Sequence, residues 1–237
     1  QTSSVKDIAV IEVPANKSFT LTDCHTDDNN GGETRTMGSV KHEYANSQSG
    51  RGVVVKGNFT LYNGGITTNN CSTNYPPERL YSGAGVYVDG GGSFTMYGGN
   101  ITGNYANKNG GGVYVNADKT FVMYGGSITG NHTAGSGGGV NVNAGTITVG
   151  GNVNISGDWQ GNENSSISNN NAHNVYLSAY DSSSKFATIT IEKALTGENS
   201  SIGVTTATPV ATTKDASVKI AAGKGTHAIT DEDKGHF

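Results

Sequence analysis

Charge is scarce in this sequence. Aspartate, glutamate, lysine and arginine make up 14% of its 237 residues, against about 25% in an ordinary globular domain. Three arginines and a net charge of −4 leave no basic stripe for a nucleic-acid partner. Hydrophobic residues are few as well, at 33%, so the aliphatic lining of a rounded α/β enzyme core is lacking. No apolar run approaches the roughly 18–20 residues that cross a bilayer, and membrane insertion is not expected. Two cysteines, Cys24 and Cys71, without C-x-x-C spacing, are too few for a disulfide scaffold. They read first as unpaired small residues at turns, with a bridge between them as the alternative. Neither a secretory signal nor an initiator methionine precedes Gln1, so a mature or excised fragment is expected. Disorder is excluded too, because 11 Tyr, 6 Phe and many Val remain to be buried.

What the chain has in plenty is glycine, 36 residues of it, together with Asn, Ser and Thr arranged in a repeat. Residues 85–104 read GVYVDGGGSFTMYGGNITGN and residues 112–131 read GVYVNADKTFVMYGGSITGN, an ungapped offset of 27. A third copy starts at Gly139 and runs through Ile147 and Val149, and an earlier one spans Gly52 to Asn69. Phe19 and Leu21 hold the places of Phe59 and Leu61 in a fainter first copy. Periods of 20–50 residues mean solenoids, propellers or arrays. Val-Tyr-Val and Phe-Thr-Met alternate with the period of two that marks short strands, and no helical periodicity of useful length exists. A propeller blade needs about 40–45 residues. Twenty-seven residues supply about three short strands and three turns, enough for one coil of a parallel β-helix.

Such a coil explains the composition. Val86, Val88, Phe94, Met96 and Ile101 point inward, and their counterparts 27 residues later stack on them about 4.8 Å along the axis. A slim tube has little interior, so five apolar residues per coil suffice. Gly98-Gly99, Gly110-Gly111-Gly112 and Gly125-Gly126 supply the corners. Asn69, Asn104 and Asn131 fall in register and predict a structural ladder of side-chain amides. The expected fold is therefore all-β: a single right-handed parallel β-helix of about six or seven coils. Residues 1–50 would form the first coil plus a long insertion, 51–157 the regular repeats, and 158–237 less regular C-terminal coils. Residues 71–82 and 158–174 are further polar excursions. DEDKGHF, at 231–237, offers no obvious cap for exposed strand edges, so a longer parent protein is expected.

The string GGGVYV…FxMxGGxIxGN resembles the repeats of right-handed parallel β-helix, adhesin-like surface proteins of Gram-positive anaerobes. NAHNVYL (171–177), KALTGENSSIGVTT (193–206) and DEDKGHF are similar to recurring elements of such proteins, so the resemblance covers roughly residues 50–237. The GGA-aliphatic and FxxN repeats of chlamydial polymorphic outer-membrane proteins are more loosely similar. The resemblance implies an extracellular protein, secreted or attached to the cell wall, that mediates adhesion or glycan contact, although no wall-sorting motif is visible.

Pectate lyases, polygalacturonases and other glycosidases also use parallel β-helices, so fold alone leaves activity open. Glycoside hydrolysis needs two carboxyl groups roughly 5–9.5 Å apart. Between Glu43 and Asp158 the only carboxylates are Glu78, Asp89 and Asp118, and the outward row Lys56, Asp89, Asn116, Asn143 holds a single acid. A catalytic role is therefore not expected. The cluster Asp23, Cys24, His25, Asp27 and Asp28 reads first as a solvated loop and second as an oxygen-ligand site for Ca²⁺; no other cofactor is expected. His42, His132, His173, His227 and His236 are scattered without ligand spacing, which argues against zinc. Trp159 stands alone in DWQGNEN and reads as an anchor for the excursion that follows it.

The tyrosines are the candidate ligand-binding residues. Tyr62, Tyr97 and Tyr124 share one repeat position, and Tyr87 with Tyr114 forms a second, shorter row expected to face outward. The first reading is stacking that stabilises the solenoid; the others are glycan contact, in which aromatic faces pack on sugars, and protein contact. The functional expectation is a non-catalytic extracellular module, monomeric within a larger chain, that binds a polysaccharide, a mucin or a host-surface protein. The alternative is a carbohydrate-active enzyme or its binding accessory, with loops 23–50 and 71–82 walling a groove.

Overall fold

Val-x-Val at the head of each repeat and Phe-x-Met in its middle set where strands form, because alternate side chains must leave water together. A computed structural model describes residues 8–22, 38–42, 50–72, 81–164, 166, 172–178, 187–196, 200–206, 221–223, 234 and 237. The fold is all-β, built from three parallel sheets. The first sheet has seven strands in chain order: Ile8–Val13, Gly50–Val55, Val86–Val88, Val113–Val115, Val140–Val142, Val175–Leu177 and Val204–Thr206. A second, eleven-stranded sheet curls around the other side of the core. Asn70–Cys71, Tyr105–Ala106, His132–Thr133 and Trp159–Gln160 make a short third one. Among the described residues no helix is long and apolar enough to cross a membrane.

Register follows the repeat. Val86 pairs with Val113 and Val113 with Val140, while Phe94 pairs with Phe121 and Ile101 with Ile128. Phe19 and Leu21 pair with Phe59 and Leu61, as their places in the faint first copy require. The second sheet bends because Thr120–Thr129 and Thr146–Ser156 run through a glycine corner that interrupts the earlier copies at Gly98-Gly99. Their first halves extend the Ser93–Met96 ladder, and Thr120–Thr129 continues the Asn100–Thr102 ladder with its second half.

The alternate residues converge on one core. Phe59, Phe94 and Phe121 are at most 1% exposed, and their rings stack at 5.2 and 4.8 Å. Each fully buried Val, Ile, Phe or Met stabilises the fold by about 1.5–3 kcal/mol relative to exposure. Polarity enters this interior through Asn69, Asn104 and Asn131, each 0% exposed. Asn69 donates its backbone N–H and its Nδ2 to Asn104 Oδ1 at 3.0 and 2.9 Å. Asn104 repeats both bonds to Asn131 Oδ1, at 3.1 and 2.8 Å. The remaining amide hydrogens reach backbone carbonyls, Asn104 Nδ2 to Ile66 O and Asn131 Nδ2 to Ile101 O, both at 2.9 Å. The three buried amides are thus paired, as burial away from water demands.

A glycine column explains how the amides fit. A Cβ on Gly85 would lie 2.5 Å from Gly112 O and 3.2 Å from Asn104 Nδ2. One on Gly112 would meet Gly139 O at 2.6 Å and Asn131 Nδ2 at 3.1 Å. The amide ladder occupies the space a side chain would claim, and only glycine leaves it open.

Candidate functional site

Outward positions of the curled sheet form three parallel rows. Ser18, Asn58, Ser93, Thr120 and Thr146 make the first, in continuous register. Thr20, Thr60, Thr95, Val122 and Thr148 make the second, two residues along each strand and so roughly 6.6 Å away. Tyr62, Tyr97 and Tyr124 follow as the third. None of these side chains carries a charge at neutral pH. Ser93 Oγ donates to Asn58 Oδ1 at 2.7 Å, joining neighbouring rungs of the first row.

The tyrosine row is a true stack. Tyr62 and Tyr97 lie 4.8 Å apart at 9°, and Tyr97 and Tyr124 lie 5.4 Å apart at 32°. Tyr62 and Tyr97 are 52% and 46% exposed, the two most exposed large apolar side chains among the described residues. Because the rings cover one another, the faces between neighbours are taken up inside the stack, and Tyr97 turns an edge outward while Tyr62, at the end of the row, has a ring partner on one side only. Tyr124 closes the row under two neighbours: its hydroxyl donates to Glu192 Oε2 at 2.6 Å, and Lys193 Nζ sits 4.7 Å from its ring centre. The hydrogen bond to Glu192, which only the neutral phenol can donate, pushes its pKa up to about 12. Glu192→Gln should bring that value back toward 10, as read by NMR from the Tyr124 ring carbon during alkaline titration. An unmoved titration would mean that Glu192 does not hold the hydroxyl in solution.

Past the Gly125-Gly126 corner, a polar groove of about 550 Å³ is lined by Gly126, Ser127, Asn152, Asn154, Ser156, Ser200 and Ser201. Its lining is uncharged, consisting of hydroxyls, amides and glycine backbone. Ser156 Oγ donates to Asn154 Oδ1 at 2.7 Å.

Tyr87 and Tyr114 also stack, at 5.5 Å and 9°. The expectation that both face solvent is corrected, since Tyr114 is 9% exposed. The turn at Gly110, whose absent Cβ would stand 2.9 Å from Tyr114 Cβ, folds across it. Burial accordingly raises the Tyr114 pKa. Tyr87 is covered in turn by the guanidinium of Arg51, 4.3 Å from its ring centre, whose Nε donates to Ser82 O at 2.8 Å. This second row is a packed part of the wall.

A third aromatic stack lies on the short sheet, and the tyrosine rows drew attention away from it. Tyr105, His132 and Trp159 are spaced by 27 and stack at 4.6 and 4.5 Å, the last pair nearly parallel at 4°. Each follows directly on a ladder residue, Asn104, Asn131 or Asp158. That shared place was the available signal, and Trp159 does not stand alone. Glu163 folds over the stack: its carbonyl oxygen lies 3.1 Å from His132 Nε2, and its carboxylate accepts from Asn70 Nδ2. Burial lowers the pKa of His132 and raises that of Tyr105.

The outward row after the first strand is an internal hydrogen-bonded chain. Asn116 Nδ2 donates to Asp89 Oδ1 at 3.0 Å, and Asn143 Nδ2 to Asn116 Oδ1 at 3.4 Å. Lys56 pairs with Glu12 at 2.6 Å. Among the described residues no group of three or more His, Cys, Asp or Glu side chains could hold a metal ion. The cluster at Asp23, Cys24, His25, Asp27 and Asp28 lies outside the described residues, as do His227, His236 and loop residues 73–80. Cys71 is buried; its expected alternative partner, Cys24, is outside them.

No protein-family model, curated protein or solved structure matches this chain.

Proposed function

We propose that the chain is a single right-handed parallel β-helix acting as a non-catalytic extracellular module of a bacterial surface protein, and that its uncharged hydroxyl face holds an extended polysaccharide. The observation that carries this reading is the register along one face of a Ser/Asn/Thr row and a Thr row, the latter continuous from Thr20 to Thr95 before Val122, beside two half-exposed tyrosines. The parallel ladders, taken with the near-universal right hand of parallel crossovers, support the β-helix itself. The coils from Ser18 to Thr95 offer weak contacts: a hydroxyl or amide, a second hydroxyl and, at Tyr62 and Tyr97, an exposed phenol. Repeated along a rigid rod, such contacts add through effective concentration rather than through one deep pocket. An uncharged face matches a neutral sugar chain better than a polyanion, and hydroxyl-to-hydroxyl hydrogen bonding suits it chemically.

The test is affinity electrophoresis against a panel of soluble neutral polysaccharides and mucins, with product analysis on the same samples. Tyr62→Ala combined with Tyr97→Ala should weaken binding about tenfold or more while leaving the thermal midpoint within a few degrees, because these rings are half-exposed and lie outside the core. Unchanged binding in the double variant would overturn the assignment of this face. New reducing ends or unsaturated sugars would replace it with the carbohydrate-active enzyme reading, and no binding at all with a structural spacer.

A further inference from the structure

The amide ladder does not stop at Asn131. Its next rung is Asp158, 0% exposed, whose Oδ1 accepts from Asn131 N–H and Nδ2 at 2.8 and 2.9 Å. Its own backbone N–H donates to Asn174 Oδ1, and its carbonyl accepts from His173 N–H, both at 2.8 Å. Asp158 therefore joins the two ends of the excursion 159–172, the segment that carries Glu163 over the Tyr105–His132–Trp159 stack.

One atom breaks the pattern. In the two preceding rungs the second side-chain atom is an Nδ2 that donates to a carbonyl one repeat back, Ile66 O or Ile101 O. In Asp158 it is Oδ2, buried and without a hydrogen-bond partner, where a Cβ on Gly139 would come within 2.4 Å. A carboxylate has only acceptors to offer at a place the ladder fills with a donor. The titratable groups on the adjoining segments are His132 beside Asn131, His173 beside Asn174, and Glu163. Burial lowers both histidines, so neither supplies a cation near neutral pH. Glu163 is an acid. A carboxylate buried in such a place costs several kcal/mol unless paired.

We propose that Asp158 is carried as a neutral, protonated rung, its Oδ2–H standing in for an asparagine amide, and that it latches the neck of the 159–172 excursion in a pH-dependent way. Burial accordingly raises the carboxyl well above the ordinary 3.8, against the opposing pull of Asn131's two donors. Folding then takes up a proton. The stabilisation is complete below the ordinary carboxyl value and is lost as pH climbs from there to the folded-state value. The two lowered histidines work in the opposite direction, since their contribution falls as pH drops, so the wild-type profile alone does not isolate Asp158.

Asp158→Asn isolates it. The variant supplies the missing amide and keeps both histidines. Its urea midpoint should exceed that of the wild type, with a gap that widens as pH rises above the ordinary carboxyl value and closes toward acid. The fluorescence of Trp159, the only tryptophan, should shift on alkalinisation in the wild type and stay constant in the variant. Parallel profiles for the two proteins would overturn the proposal. Should the variant fail to fold, infrared spectroscopy of the wild type decides. A protonated-carboxyl stretch at neutral pH supports the neutral rung, and its absence removes it.

Discussion

Asn104→Ala is expected to cost the fold about 3–6 kcal/mol. The substitution strips Asn69 N–H and Asn69 Nδ2 of their shared acceptor and leaves Ile66 O without the donor that reaches it at 2.9 Å. Each buried group left unsatisfied costs about 1–3 kcal/mol, and Asn104, 0% exposed, is out of contact with bulk solvent. Urea unfolding followed by circular dichroism measures the loss. A change below about 1 kcal/mol would show that the rungs share their load with solvent and that the ladder is not a closed network.

Gly112→Ala should be comparably damaging for a different reason. The new methyl group would stand 2.6 Å from Gly139 O and 3.1 Å from both Asn131 Nδ2 and Ile128 Cγ2. The nearest of these is backbone, held by its own parallel ladder, and cannot rotate away. Relief requires separating neighbouring coils, which would stretch the Asn131 bonds as well, so the cost should reach or exceed the roughly 1–3 kcal/mol of ordinary overpacking. Gly38→Ala is the matched control, because nothing lies within 4 Å of its added methyl. It should change stability by less than about 0.5 kcal/mol. Equal effects at the two positions would dissolve the close-approach argument.

Much of this was legible in the chain because a 27-residue offset without gaps can be read directly. Phe94 over Phe121 and Asn104 bonded to Asn131 follow from counting alone. Failures arose where the third dimension adds a cover. Tyr87 and Tyr114 alternate outward as the pleat dictates, yet the Gly110 turn crosses Tyr114, and nothing in Val-Tyr-Val announces a turn lying on top of it. Stacking also has a consequence that alternation hides, since the faces between neighbouring rings are covered by the rings themselves. Asp158 escaped notice as a rung because an acid replaces the amide just where the repeat dissolves into a polar excursion. Tyr105, His132 and Trp159 escaped because three different residue types hold one place. The acidic stretch at 23–28 lies outside the described residues, and its chemistry stays with the sequence-based expectation.

The unbroken step from Val86 to Val113 to Val140 has an evolutionary corollary. Within that span every column advances by the same count, so tandem duplication of one such unit lengthens all of them at once and disturbs no junction. Within the ladders each strand pairs only with the strands before and after it. Length then becomes a quantity that recombination can tune in increments of one strand spacing, with the chemistry of the face copied along with it.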